Sequence, residues 1–143
     1  MAKTPKKPAA GEPGMASGLA RVFCNRPFVR FARKFGASNK QLLEMCDSIP
    51  DADLGGCVYK FRLARVGEGE RGGARTIVAM KGDERVVMMY GFEKKDQANI
   101  SLKDLKAFRK LAKAYLERTN EEMEKLVRIG ELIEVTRPQN SRT

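Results

Sequence analysis

Apolar residues along the chain recur first at a helical period and then at a strand period. Phe28, Phe31, Ala32 and Phe35 fall at i, i+3, i+4 and i+7, one apolar face of a helix. Asn25 can cap its start, Pro27 suits its first turn and Gly36 can end it. Its other face carries Arg30, Arg33 and Lys34, and Arg21 to Cys24 just before it reads as a short strand. Ser38 with Gln41 forms a capping-box pattern for a second helix, whose buried positions would be Leu42, Leu43, Met45 and Cys46, with Pro50 beyond its end. The two helices predict a hairpin. Asp51 to Gly56, rich in turn formers, predicts a loop.

From Cys57 the period becomes two. Cys57, Tyr59, Phe61 and Leu63 point one way, and Val58, Lys60, Arg62 and Ala64 the other, giving a strand with an apolar face and a cationic face. Val66 to Gly73 is a glycine-rich charged loop. Ala74 to Met80 and Arg85 to Phe92 read as two further strands around a Gly82-Asp83 turn, and the three together predict an antiparallel meander. Ser101 and Asp104 then open a helix with Leu102, Leu105, Phe108, Ala112, Tyr115 and Leu116 on one side. Lys103, Lys106, Arg109, Lys110 and Lys113 occupy its opposite side. Thr119 and Glu122 cap a last helix carrying Met123, Leu126 and Val127, which Gly130 stops, and Glu131 to Val135 predicts an edge strand.

The chain's 143 residues suit one domain. The expected division is a disordered basic leader over 1–20, a folded domain over 21–136 and a flexible tail over 137–143. The leader, with Lys3, Lys6 and Lys7 before Pro8, Gly11, Pro13 and Gly14, lacks the apolar stretch of a signal peptide. No apolar run approaches the roughly 18 residues of a membrane span, so a soluble, cytoplasmic protein with no membrane partner is expected. Net charge is +10, of which the first 20 residues hold only +2 through Lys3, Lys6 and Lys7 against Glu12. The domain itself is therefore basic, which favours polyanionic partners such as nucleic acid or the ribosome. Cys24, Cys46 and Cys57 are an odd, widely spaced set that suggests neither a disulfide framework nor a zinc site, and the chain has no His. Any catalysis falls to Lys, Arg, Tyr, Asp or Glu.

Lys60 and Arg62 share a strand face, and Arg75 opens the next strand. Paired as a meander, these cations could converge with Lys94 and Lys95, with Arg65 and Arg71 on the intervening loop. Such a bowl suits a phosphodiester, because Arg clamps phosphate oxygens and stabilises the charge of a pentacoordinate transition state. Attack by an RNA's own 2′-hydroxyl also needs a base and an acid. Crowded cations disfavour an ammonium, which makes Lys60 a candidate base. Tyr90 is the nearest aromatic hydroxyl, a candidate for base stacking or proton shuttling. A plainer reading stays open: Lys60 and Arg62 on a solvated sheet face, Tyr90 as an edge aromatic, and Lys106, Arg109 and Lys110 as a solvated helix face in place of an RNA contact. Gly67, Gly69, Gly72 and Gly73 match neither the P-loop nor the dinucleotide pattern.

Three stretches together, Leu54-Gly55-Gly56-Cys57-Val58-Tyr59-Lys60-Phe61-Arg62-Leu63-Ala64-Arg65, Gly72-Gly73-Ala74-Arg75-Thr76-Ile77-Val78-Ala79 and Tyr90-Gly91-Phe92-Glu93-Lys94-Lys95, resemble the RelE-like, HigB-type branch of the RelE/ParE toxins. The helix from Phe28 to Lys34 and the end Gly130-Glu131-Leu132-Ile133-Glu134-Val135 fit the same pattern, so the resemblance covers residues 22–135. It implies an α+β fold: a curved antiparallel sheet of three to five strands, packed by an N-terminal helical hairpin and C-terminal helices. It also implies the toxin of a type II toxin-antitoxin system, a metal-independent, ribosome-dependent mRNA endoribonuclease that inhibits translation and needs no cofactor. Its partners would be the ribosome, mRNA and a cognate antitoxin encoded beside it. Lys60 would serve proton transfer, and Arg62, Arg75 and Lys94 substrate and transition-state charge, with Arg65, Arg71, Tyr90, Lys95, Lys106, Arg109 and Lys110 as RNA contacts. A tyrosine that some of these toxins carry before the last helix falls near Ile100 here. The competing expectations are a ParE-like inhibitor of DNA gyrase that does not cleave, and a plain RNA-binding protein.

Overall fold

A computed structural model describes residues 20–65 and 73–138. Most of the expected leader and tail, and the glycine-rich loop with Arg71, lie outside these described residues. Ten elements follow in chain order: β1 (Arg21–Asn25), α1 (Arg26–Phe35), α2 (Asn39–Cys46), β2 (Ala52–Gly55), β3 (Val58–Leu63), β4 (Ala74–Lys81), β5 (Arg85–Glu93), α3 (Leu102–Leu116), α4 (Asn120–Arg128) and β6 (Leu132–Val135).

Local chemistry sets the helix ends. The Asn25 side chain accepts from the Phe28 amide at 3.0 Å, and Gly36 closes α1 in the left-handed conformation. Ser38 with Gln41 and Thr119 with Glu122 form reciprocal capping boxes. Ser101 caps α3 by accepting from the Asp104 amide at 3.0 Å.

The strands form one six-stranded sheet in the order β2-β3-β4-β5-β1-β6, with β3, β4 and β5 as the expected meander and β6 at an edge. Two features depart from the expectation. Residues 52–55, expected as part of a loop, form the edge strand β2, antiparallel to β3. Gly56 and Cys57 supply the turn of that hairpin, while Ala52 to Gly55 extend and pair. The sheet is also mixed, because β1 runs parallel to β5. The helices α1 and α2 and the strands β2 to β4 lie between those two strands in sequence, and this crossover is what permits a parallel pairing.

Each face of the sheet carries a core. Phe28, Ala32 and Phe35 of α1 and Leu42, Leu43, Met45 and Cys46 of α2 pack with Phe61, Leu63, Ala74, Val78, Met80, Val86 and Met88. On the opposite face Val58, Ile77, Ala79, Val87 and Met89 meet Ala112 and Leu116 of α3, together with Met123 of α4. Odd-numbered positions of β3 therefore look toward α1 and α2, and Lys60 and Arg62 look toward α3. Cys57, expected in this strand, sits in the preceding turn with a positive φ of 65°. Leu102, expected on the buried side of α3, is 69 % exposed, because the helix meets the sheet only further along.

Arg85 fastens the C-terminal helices. It is 9 % exposed and donates to the carbonyls of Tyr115 at 2.9 Å and Arg118 at 2.8 Å and to Asn120 Oδ1 at 2.9 Å. A guanidinium at the end of α3 satisfies carbonyls that helical bonding leaves open and complements the negative end of the helix dipole.

Candidate active site

Strand register decides which cations meet. Arg62 of β3 lies directly opposite Arg75 of β4, and Arg75 opposite Phe92 of β5. Two residues along, Lys60 lies opposite Ile77, and Ile77 opposite Tyr90. Opposed residues on neighbouring strands share a face about 5 Å apart. The site is therefore two rows on the α3 side of the sheet, Arg62-Arg75-Phe92 and Lys60-Ile77-Tyr90.

A bulge completes the second row. The β4–β5 register shifts between Ile77 and Val78, so Val78 pairs with Met88 and Ile77 with Tyr90, with Met89 between. The extra residue turns Tyr90 onto the α3 face, where a regular ladder would have sent it to the other side. Tyr90 packs on Phe108 of α3 at 5.3 Å between ring centroids and on Phe92 at 6.0 Å. Its hydroxyl donates to Gln97 Oε1 at 3.0 Å, so this proton is already held within the protein. Ile100, near which the resemblance would put a tyrosine, is half-buried against the same core.

A carboxylate lies among the cations. Asp51 Oδ2 sits 3.0 Å from Arg75 Nε and 3.9 Å from Arg62 Nε. The Arg75 side chain is 12 % exposed and that of Arg62 38 %. Arg75 Nη1 is buried with no hydrogen-bond partner among the described residues. A donor in that condition normally costs about 1–3 kcal/mol. Asp51 was expected as a turn residue, and the only sequence signal for its role is its place just ahead of a hairpin whose second strand carries Lys60 and Arg62.

The other expected residues divide. Lys94 and Lys95 occupy the exposed turn after β5, at the same end of the sheet as Arg62 and Arg75. Lys106 and Lys110 are exposed on α3, in a shallow groove with Leu102, Lys103 and Ala107. Arg65 goes elsewhere: it donates to the Phe35 carbonyl at 3.0 Å, pairs with Glu93 at 2.7 Å and lies 4.1 Å over the Phe35 ring. It thus closes the end of α1 onto β5, on the face away from Lys60. Arg109 folds over Gly55 and Gly56 and donates to the Leu54 carbonyl through both Nε, at 3.0 Å, and Nη2. Both arginines were expected at RNA and have ties within the protein. Arg71 lies outside the described residues.

Beyond these rows, burial pushes the Cys24 thiol up to about 12 and raises Cys46 as well, while Cys57 is exposed. Among the described residues no three His, Cys, Asp or Glu side chains gather closely enough to hold a metal, and no helix is long and apolar enough to cross a membrane.

Comparison with known families matches residues 20–135 to the family described as the RelE toxin of the RelE / RelB toxin-antitoxin system. The chain belongs to the RelE toxin family. The matched span takes in the whole sheet and all four helices, so the α+β architecture and the membership agree. A search of curated proteins gives no match.

Proposed function

We propose that this RelE-family toxin is a ribosome-dependent mRNA endoribonuclease, acting in the bacterial cytoplasm and silenced by a cognate antitoxin encoded beside it. The observation that carries this reading is the directly opposed pair Arg62 and Arg75, with Lys60 on the same face. Three cations and one carboxylate leave a net positive site, where guanidiniums can offset the extra charge of a pentacoordinate phosphorus.

In the proposed reaction the substrate's 2′-oxygen attacks the adjacent phosphorus, the bond to the 5′-oxygen breaks, and a cyclic phosphate and a free 5′-hydroxyl result. Arg62 and Arg75 stabilise the equatorial oxygens, and Lys94 contributes charge from the neighbouring turn. Lys60 transfers the proton. The half-buried Tyr90 ring gives a flanking base an aromatic edge. The lysine edge of α3, with Lys106 and Lys110, adds phosphate contacts that steer the toxin to ribosomal RNA.

Primer extension on messages after brief induction, with and without ribosomes, tests this in wild type, Lys60→Ala and Arg75→Ala. The expected result is discrete cuts that need ribosomes and vanish in both variants. Growth arrest with intact messages would favour a ParE-like inhibitor and overturn the nuclease reading. Co-expression of the neighbouring open reading frame is expected to restore growth.

A further inference from the structure

The carboxylate among the cations needs a reason, since an acid beside an RNA site opposes phosphate binding. Asp51 is firmly placed: its amide donates to the Lys60 carbonyl at 2.7 Å, so the strand that bears Lys60 and Arg62 also holds Asp51. The β2–β3 hairpin is pinned in turn by Arg109 at the Leu54 carbonyl. One oxygen, Oδ2, faces the Nε of both Arg75 and Arg62.

An arginine gripped at Nε loses rotation about its last bonds and keeps its two terminal nitrogens for another acceptor. Arg75 fits that description as an ion pair: its Nε lies 3.0 Å from Asp51 Oδ2, and its Nη1 has no partner among the described residues. A buried, unpartnered donor on a guanidinium held by an ion pair is what one set in advance for an incoming anion looks like. A purely stabilising ion pair would place both carboxylate oxygens against the guanidinium in the two-pronged geometry that is strongest.

We propose that Asp51 is a positioning residue, which fixes the Arg75 guanidinium, and through the same oxygen biases Arg62, so that terminal N–H groups meet the scissile phosphate without rearrangement. This rests on the nuclease reading given above. Its signature follows from charge. Losing Asp51 removes an anion from the site, so RNA binding holds or tightens, while misaligned arginines slow the chemical step. A displacement of about 1 Å from productive geometry costs on the order of 100-fold in rate. A residue that merely competed with phosphate would show the reverse pattern.

The test is single-turnover cleavage of a defined message on ribosomes, with purified wild type, Asp51→Ala and Asp51→Asn. Asp51→Ala is expected to lower the maximal rate by roughly 10–100-fold with the half-saturating concentration unchanged or lower. Asp51→Asn keeps an acceptor oxygen at nearly the same volume and stays within about 5-fold of wild type, which separates positioning from loss of fold. A wild-type rate in Asp51→Ala, or a loss confined to binding, overturns the proposal. A second arm needs no cleavage: the Arg75 Nε–H signal in nitrogen-15 NMR is expected to exchange slowly in wild type and Asp51→Asn, and rapidly in Asp51→Ala. If wild type leaves messages intact while this protection still depends on Asp51, the nuclease reading fails and the fixing of Arg75 stands. Equal protection in all three proteins overturns the proposal whatever the cleavage result.

Discussion

Gly91 lies between Tyr90 and Phe92, and replacing it with Ala tests how closely α1 is packed onto β5. An added Cβ would lie 2.3, 2.4 and 2.8 Å from Cδ2, Cε2 and Cγ of Phe31. Unstrained carbon contacts need about 3.5–4.0 Å, so ring or strand must move by roughly 1 Å. The ring has little room toward the core, since it stacks on Phe35 at 5.5 Å and tilts against the fully buried Phe28 at 5.7 Å. Overpacking of this kind costs about 1–3 kcal/mol. The Gly-to-Ala change restricts the unfolded chain and returns about 0.4–1 kcal/mol. The expected net loss is therefore about 1–2 kcal/mol, read as a urea midpoint lowered by roughly 0.5–1 M for a slope near 2 kcal/mol per M. A double-mutant cycle isolates the cause. In a Phe31→Ala background all three clashing atoms are gone, and Gly91→Ala is expected to be neutral or stabilising, a coupling on the order of 1–3 kcal/mol. If Gly91→Ala costs as much in the Phe31→Ala background as in the wild type, contact with the ring is not what requires a glycine there.

Arg85→Ala strands two carbonyls and Asn120 at the α3–α4 junction, and a loss of about 2–4 kcal/mol in equilibrium unfolding is expected, with faster amide exchange in α4; unchanged exchange there would refute the fastening role. Native protein at pH 8 is expected to react with a thiol reagent at Cys57 alone among its three cysteines, and at all three once unfolded. Because burial raises the Cys24 thiol from 9.0 to about 12, folding favours its protonated form. The stability this contributes is complete below pH 9 and is lost as pH rises from about 9 to 12; Cys24→Ala is expected to flatten that alkaline decline, and an unaltered pH profile would count against it. Lys106→Glu with Lys110→Glu is expected to weaken ribosome binding and reduce its salt slope by roughly one unit per lost phosphate contact, without changing the urea midpoint; an unchanged slope would remove α3 from the interface.

What the sequence determined by itself was local. Asn25, Ser38, Gln41, Thr119, Glu122, Gly36 and Gly130 mark helix ends because capping acts within a few residues, and the two-residue alternation sorts Lys60 and Arg62 from Phe61 and Leu63. Opposing Arg62 to Arg75 needed only the meander and its register. Choices among distant partners were left to the tertiary structure. The same residue type serves different ends in Arg62, Arg65, Arg75, Arg85 and Arg109, since a long guanidinium takes whichever acceptor the fold brings within reach: a carbonyl at a helix end, a turn or a carboxylate. The bulge that turns Tyr90 toward α3, the parallel pairing of β1 with β5, and the extension of β2 that sets Asp51 beside Arg75 all arise from pairing between segments far apart in sequence. Periodicity cannot encode them, because no local pattern changes when a strand gains a neighbour.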